Sequence, residues 1–335
     1  MKSEAALTGV LLLALIASTG CDSASGKAGR RLPEDETSGR GSWYTAIGTD
    51  SSSGGLIVVR RDRQGEGDAG TVLCDSTGIY LLRSNKTLTA LAQSSQRLCS
   101  LLWSSERMSL RKGAAAIAVA DIFDSNQVVI VSFAPARADF LKSHCYLSAA
   151  APSWSPDGHR LAVIGACSEN RETQTLHILG VDDGREGRWH LHHRIDEWGT
   201  LTWAPDARRI AFTGRTGETD SVFVLDLGTS QTKAIASGSE PSWSPAGRWI
   251  AYVRRTRSRR SPRVEIRMTD ASGTRDSVLL TTDDRVDLDR EGNWVALSTL
   301  LWSADGRTIY FSSLRCVEAI EIETLRRTTV FCSRR

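Results

Sequence analysis

Pro152-Ser-Trp154-Ser-Pro156-Asp157-Gly158, with an arginine at 160 and the run Leu161-Ala-Val163-Ile164, is written again three times further along the chain. It returns as Trp203-Ala-Pro205-Asp206-Ala207-Arg-Arg-Ile210-Ala-Phe212 and as Pro241-Ser-Trp243-Ser-Pro245-Ala246-Gly247-Arg-Trp-Ile250-Ala-Tyr252. The last clear copy is Trp302-Ser-Ala304-Asp305-Gly306-Arg-Thr-Ile309-Tyr-Phe311. A unit this short cannot bury its apolar face alone. Repetition every 40 to 60 residues or so therefore implies stacked units sharing one core.

Each copy reads as strand, tight turn, strand. Proline presets φ near −65° for a type I turn, Asp accepts backbone N–H groups, and Gly supplies φ > 0. The following run is β-branched and aromatic, which suits a half-buried pleated surface. Ala207 stands where the others have Gly, Ala246 replaces Asp, and Ala304 replaces Pro. Such drift fits a structural repeat better than a catalytic motif. Ala207 requires its turn either to tolerate a non-Gly residue or to change type.

A second hairpin follows each copy, for example Thr175–Val181 with Arg188–Arg194, or Ser221–Leu227 with Thr232–Ala236. Four strands per unit is the blade of a β-propeller, so the fold class is all-β with four-stranded antiparallel blades. The phrase resembles the WD-like repeat of the TolB propeller family. The same repeat builds the propellers of some prolyl-oligopeptidase-type peptidases. The clear resemblance covers residues 150 to 335, and it implies a propeller whose relatives act mostly as binding scaffolds.

The first third is degenerate. Leu101-Leu-Trp103-Ser-Ser105 starts like a copy without its turn, and strand signal follows in Ala114–Ala120 and Val128–Phe133. Leu56–Val59 and Gly78–Leu82 read as strands of a further unit. Tryptophans at 103, 154, 203, 243 and 302 open five units, and the segment from Trp43 makes a sixth. Six blades over residues 43–335 is the expectation, with five or seven open. Asp289–Leu297, a near-copy before the last repeat, is assigned to the connection between blades five and six.

Residues 1–20 have the layout of a signal peptide, with Lys2 ahead of an 11-residue apolar stretch, Leu7–Ala17, too short to span a membrane. Cys21 follows the small run Ser18-Thr19-Gly20 and resembles the lipidated cysteine of bacterial lipoproteins, although Ser18 stands where Leu is usual. Lipid on Cys21 would anchor the chain without a transmembrane helix. Residues 21–42, rich in Ser, Gly and charge, read as a flexible tether. The expected location is the bacterial cell envelope, facing the periplasm or exterior.

The charge balance is +3, and it stays so after residues 1–20, with Lys2 and Glu4, are removed. Neither that balance nor export suggests nucleic acid. Six cysteines remain beyond Cys21, an even number that suggests disulfides in an exported protein. Six allow 15 connectivities. Locality favours Cys74–Cys99, Cys145–Cys167 and Cys316–Cys332.

No Gly-x-Ser-x-Gly elbow and no phosphate-cradling loop occurs, so neither a catalytic residue nor a cofactor site is assigned. His190 and His192 would share one face of a strand, but an outer strand with solvent-facing histidines is the plainer reading. Asp182-Asp183-Gly184 and Asp283-Asp284 could meet calcium, yet such pairs are first of all turn formers. The segment from Arg254 to Arg263 holds six arginines in ten residues: Arg254, Arg255, Arg257, Arg259, Arg260 and Arg263. It joins the second and third strands of its blade, on the face of the inter-blade connections, and could capture an anionic group.

Two functions compete. One is a monomeric, membrane-tethered scaffold that binds an envelope protein or anionic envelope component. The other is a propeller enzyme of the lactonase or lyase type with a channel metal. The innermost strands carry Ser153, Ser155, Thr202, Ser242, Ser244 and Ser303, which are poor metal ligands, so binding is preferred.

Overall fold

The structure is a computed structural model that describes residues 42–49, 55–62, 78–93, 108–111, 116–120, 127–133, 136–143, 145–147, 152–166, 174–191, 200–256, 263–283, 300–313 and 316–332. Among the described residues every regular element is a strand, and the strands form six antiparallel sheets. Blade one holds β1 (Ser42–Thr49), β2 (Leu56–Asp62), β3 (Gly78–Leu82) and β4 (Leu88–Gln93). Blade two holds β5 (Met108–Leu110), β6 (Ala116–Ala120), β7 (Gln127–Phe133) and β8 (Ala136–Lys142). Blade three holds β9 (Tyr146–Leu147), β10 (Ser153–Trp154), β11 (Arg160–Ala166), β12 (Gln174–Gly180) and β13 (Glu186–His190). Its innermost strand is in two pieces, β9 and β10, both paired to β11.

Blade four holds β14 (Leu201–Trp203), β15 (Arg209–Thr216), β16 (Thr219–Asp226) and β17 (Thr232–Ser237). Blade five holds β18 (Ser239–Trp243), β19 (Trp249–Thr256), β20 (Arg263–Asp270) and β21 (Asp276–Asp283). Blade six holds β22 (Leu301–Trp302), β23 (Thr308–Ser313), β24 (Cys316–Glu321) and β25 (Arg327–Cys332). The innermost strands touch in a cycle, β1 to β5, β10, β14, β18, β22 and back to β1, so the sheets close into a ring. The six-bladed expectation holds. The Leu101–Ser105 phrase lies outside the described residues, and the first strand seen in that blade is β5, beyond it.

The core lies between blades, and period-two alternation places it there. Along β11, Leu161 and Val163 join Val128 and Ile130 of blade two, whereas Ala162 and Ile164 join Trp203, Ile210 and Phe212 of blade four. β15 repeats the division: Ile210 and Phe212 face blade three, and Ala211 shares a cluster with Trp243 of blade five. Successive side chains on a strand point to opposite faces, so each blade presents two apolar faces. Burying a side chain of this size is worth about 1.5–3 kcal/mol. The alanine of each phrase shares a cluster with the next blade's tryptophan: Ala162 with Trp203, Ala211 with Trp243, Ala251 with Trp302. In the last blade that position is Tyr310, which packs in the cluster with Leu56, Val58 and Tyr80 of blade one, where no such phrase occurs.

The turns keep one geometry despite their sequence drift. Gly158, Ala207, Gly247 and Gly306 all have φ between 56° and 75° and all donate to the carbonyl three residues back, at 2.9–3.0 Å. Ala207 is therefore tolerated without a change of turn. Ser or Asp supplies the side-chain acceptor: Ser155 Oγ and Asp157 in blade three, Asp206 alone in blade four, Ser244 alone in blade five, Ser303 and Asp305 in blade six. Loss of either one leaves the other in place. A Cβ on Gly247 would sit 3.5 Å from Pro205 Cδ, and one on Gly306 3.8 Å from Pro245 Cδ. Each turn thus lies beside its predecessor, and these turns share one face, called the turn face below.

Candidate functional site

The opposite, loop face carries the inter-blade connections and the links between second and third strands. At the junction of blades four and five, β17 passes to β18 through Gly238, whose N–H donates to Asp220 O at 2.9 Å. A Cβ on Gly238 would lie 2.5 Å from Val253 O, so only Gly fits there. Ser239 and Glu240 follow, both buried, in a break of the β18–β19 register. Glu240 has φ 58°, a left-handed conformation that costs a non-Gly residue about 1–2 kcal/mol. Its N–H donates to Thr213 Oγ1 at 3.1 Å, and that hydroxyl lies 3.2 Å from Thr200 Oγ1.

Arg255 reaches this point. Its Nη1 donates to Ser239 Oγ at 2.9 Å, tying the base of the arginine segment to the innermost strand. Arg254 and Arg263 are exposed at the ends of β19 and β20. Arg257, Arg259 and Arg260 lie outside the described residues, as do Cys21, Cys74, Cys99, Cys167, His192, His193, Asp284 and the near-copy at 289–297. Sequence reasoning missed Glu240: a lone Glu before Pro-Ser-Trp carries no signal of positive φ, which follows from Gly238 crowding against β19.

Of the inner-strand hydroxyls, Ser155, Ser244 and Ser303 act within the turns. Ser153, Thr202 and Ser242 remain, and the carbonyls of Ser153 and Ser242 accept Trp203 Nε1 and Trp302 Nε1, each at 3.0 Å. Among the described residues one group of three metal-type side chains lies close together, Cys145, His177 and Glu186. It belongs to blade three, with Cys145 just before β9, His177 on β12 and Glu186 on β13. Cys145 is disulfide-bonded, its partner outside the described residues, so its sulfur is no thiolate donor. Glu186 instead accepts from His177 Nδ1 at 2.6 Å, Arg188 Nε at 3.0 Å and Ser143 Oγ at 3.1 Å. Burial would raise its carboxyl, but the hydrogen bonds from Arg188 and His177 outweigh that and hold it down to about 2.

His190 is exposed at the end of outer strand β13. Asp182 pairs with His159 Nδ1 at 2.5 Å, and Asp183 Oδ1 accepts from Arg185 N at 3.0 Å beside Gly184 at φ 64°. That is the geometry of a turn. Asp283 ends β21. Cys316 and Cys332 form a disulfide between directly paired residues of β24 and β25.

This fold is a β-propeller of four-stranded blades. The solved structure of TolB from Acinetobacter baumannii is similar to it, with TM-score 0.57 and 15% identity over 88% of this chain. The match spans 64% of that TolB chain. A putative TolB from Agrobacterium tumefaciens matches with TM-score 0.54 and 16% identity, covering 81% of this chain and 90% of that one. An oligogalacturonate lyase solved in complex with manganese matches with TM-score 0.58 and 13% identity, covering 93% of this chain and 82% of that one. No protein-family description and no curated protein matches the sequence. At these identities the likeness is one of fold: the chain has the TolB-like propeller architecture.

Proposed function

We propose that this protein is an extracytoplasmic propeller, held at a membrane through lipid on Cys21, that binds an envelope protein or anionic envelope component without catalysing a reaction. The observation that carries this reading is the direction of β1. Strands alternate in each sheet and the turn between the first two lies on the turn face, so β1 begins on the loop face. Arg254, Arg255 and Arg263 lie on that same face. A tether entering there brings the arginines toward the surface that holds it. Guanidinium groups make strong, often bidentate contacts to phosphate and carboxylate. The likeness to TolB structures supports a periplasmic binding role.

The second reading, a propeller enzyme with a channel metal, is favoured by the manganese-bound lyase of similar fold. The donors described here speak against it. Among the described residues the inner strands contribute hydroxyls and a single carboxylate, Glu240, and the one three-residue group joins His177 and Glu186 of the two outer strands to a disulfide sulfur.

Vesicle flotation of the full chain tests the proposal. Binding to anionic vesicles should exceed binding to neutral ones and fall with salt, since exposed charges are screened within about 8–10 Å. Replacing Arg254, Arg257, Arg259 and Arg260 with Ser should weaken it while each change moves stability by only about 0.5 kcal/mol. In cells, Cys21→Ser should move the protein from the membrane to the soluble fraction. Salt-insensitive vesicle binding that the four-fold variant retains, or identical partitioning of Cys21→Ser, would sink the corresponding half of the reading.

A further inference from the structure

Blade three departs from the repeat at two positions, and a cleft opens where it does. The residue that ends the third strand is Asp226 in blade four, Asp270 in blade five and Glu321 in blade six, each paired with the second strand at the same register. Asp226 and Asp270 accept N–H groups of the following turn. Blade three has Gly180 there. Its turn carboxylate comes instead from Asp183, folded back so that Oδ1 lies 2.0 Å from where a Gly180 Cβ would be. The second departure is Gly187 on β13, where blades four, five and six have Lys233, Ser277 and Thr328. A Cβ on Gly187 would meet the Trp189 ring at 2.7 Å, so the indole lies against backbone that only Gly leaves bare.

The result is a cleft of about 420 Å³ on the turn face, with Gly180, Gly187 and Ile178 as floor, Trp189 as one wall, and His159, Arg160, Asp182, Asp183 and Arg185 around it. Trp189 is held in place by donating Nε1 to Leu227 O of blade four at 3.2 Å. Both rim arginines are already paired, Arg185 with Asp183 and Arg160 with Asp157, while Asp182 is hydrogen-bonded to the His159 ring. Since His159 Nδ1 faces a carboxylate, the neutral ring carries its proton there and leaves Nε2 as an acceptor. Asp182, exposed and bonded to His159 through Oδ2, keeps Oδ1 as a second acceptor, and the exposed Arg185 guanidinium is a donor. An aromatic wall beside closely spaced donors and acceptors, with one carboxylate more than guanidinium groups, suits an uncharged ligand with an apolar face and adjacent hydroxyls and disfavours an acidic one.

We infer that this cleft binds a neutral saccharide, one sugar face packed on Trp189 and adjacent hydroxyls bonded to Asp182, His159 and Arg185. The site is independent of the arginine segment, which lies on the other face. Saturation-transfer NMR and titration calorimetry on the full chain, with cellobiose, chitobiose and trigalacturonate as probes, test it. A neutral disaccharide should bind, and Asp182→Asn with Arg185→Ala should weaken it by about tenfold or more without changing the melting temperature. Gly187→Val, which displaces the indole, should abolish binding. The four-fold arginine variant should bind as the parent does. The inference is overturned if no neutral sugar gives transfer, if trigalacturonate binds more tightly than both disaccharides, or if the double variant binds as well as the parent.

Discussion

Arg160 of blade three lies over the indole of Trp203 in blade four, its guanidinium carbon 4.9 Å from the ring centroid. The contact is one rung of a series. Arg111 lies over Trp154 at 5.1 Å and Arg209 over Trp243 at 5.0 Å. In blade five the arginine position is Trp249, which packs in the cluster of Trp302. The arginine and the tryptophan of the repeat therefore work in trans: one residue of each phrase serves the next blade's copy. Each cation–π contact is worth about 0.5–2 kcal/mol, depending on how far it is desolvated.

Two substitutions in this series separate hydrogen bonding from packing. Trp203 donates to Ser153 O, whereas the buried Nε1 of Trp243 has no acceptor among the described residues. Both indoles lie beneath an arginine. Trp203→Phe should therefore cost about 1 kcal/mol more than Trp243→Phe, the net worth of one hydrogen bond. Urea denaturation of the two variants measures the difference, and equal losses would refute the assignment.

Ala207→Gly should stabilise the protein. Ala207 has φ 56°, and Gly at that angle relieves the clash of a Cβ, offset by the greater freedom of an unfolded glycine. The expected net gain is about 0.5–1 kcal/mol. Gly247→Ala, at φ 68°, should lose a similar amount. A thermal melt in which both variants shift in the same direction would contradict this.

Stability should fall on acidification. His177 is fully buried, and burial holds its imidazole below the ordinary 6.5, only partly opposed by Glu186. The unfolded chain then takes up a proton more readily than the folded one, so this contribution is complete above 6.5 and declines below it. Glu186, depressed from 4.5 to about 2, contributes fully above 4.5 and loses its contribution as pH falls toward 2. Both act in the same direction. His177→Gln should flatten the loss between neutral pH and about pH 5, read as the urea midpoint against pH. An unchanged slope would exclude His177 as its source.

The Cys316–Cys332 disulfide closes a separation of 16 residues. Replacing both with Ala should cost about 3 kcal/mol by the loop-closure relation. The loss should appear equally when the parent is melted under reductant, if this bridge dominates the redox effect. A reductant effect much larger than that of the double variant would assign the remainder to other bridges, such as the one that includes Cys145.

The turn phrase made the blade legible because each of its residues has a local job: Pro156, Asp157 and Gly158 act within six residues of one another. Drift was legible too, but its meaning was not. Ala304 and Ala246 are harmless because Ser303 with Asp305, or Ser244 alone, still caps the turn. Tyr310 stands where the other copies have Ala, and it packs with blade one, a partner more than 200 residues away in the chain. The arginine segment was visible as composition. Its link to Ser239, and the strained Glu240 beside it, arise from the β18–β19 register, which no local pattern encodes. The cleft on blade three is written as two glycines, and their significance appears only when four blades are laid over one another.

The ring closes without exchange of strands: blade one is built wholly from β1–β4 and blade six from β22–β25. The seam is side-chain packing, Leu56, Val58, Tyr80 and Leu82 against Val317 and Leu301. During synthesis the strands of blade one and blade six therefore emerge at opposite extremes of time. Every other junction forms between segments that are neighbours in sequence, but this one waits for the last strands, and long-range closure is the slow part of folding such a chain. A chain cut before residue 300 leaves two apolar faces bare, that of blade one and the Val253, Val264 and Ile266 face of blade five. Nascent molecules should consequently depend on holding chaperones until the final 30 or so residues arrive, and C-terminal truncations should aggregate rather than persist as five-bladed rings.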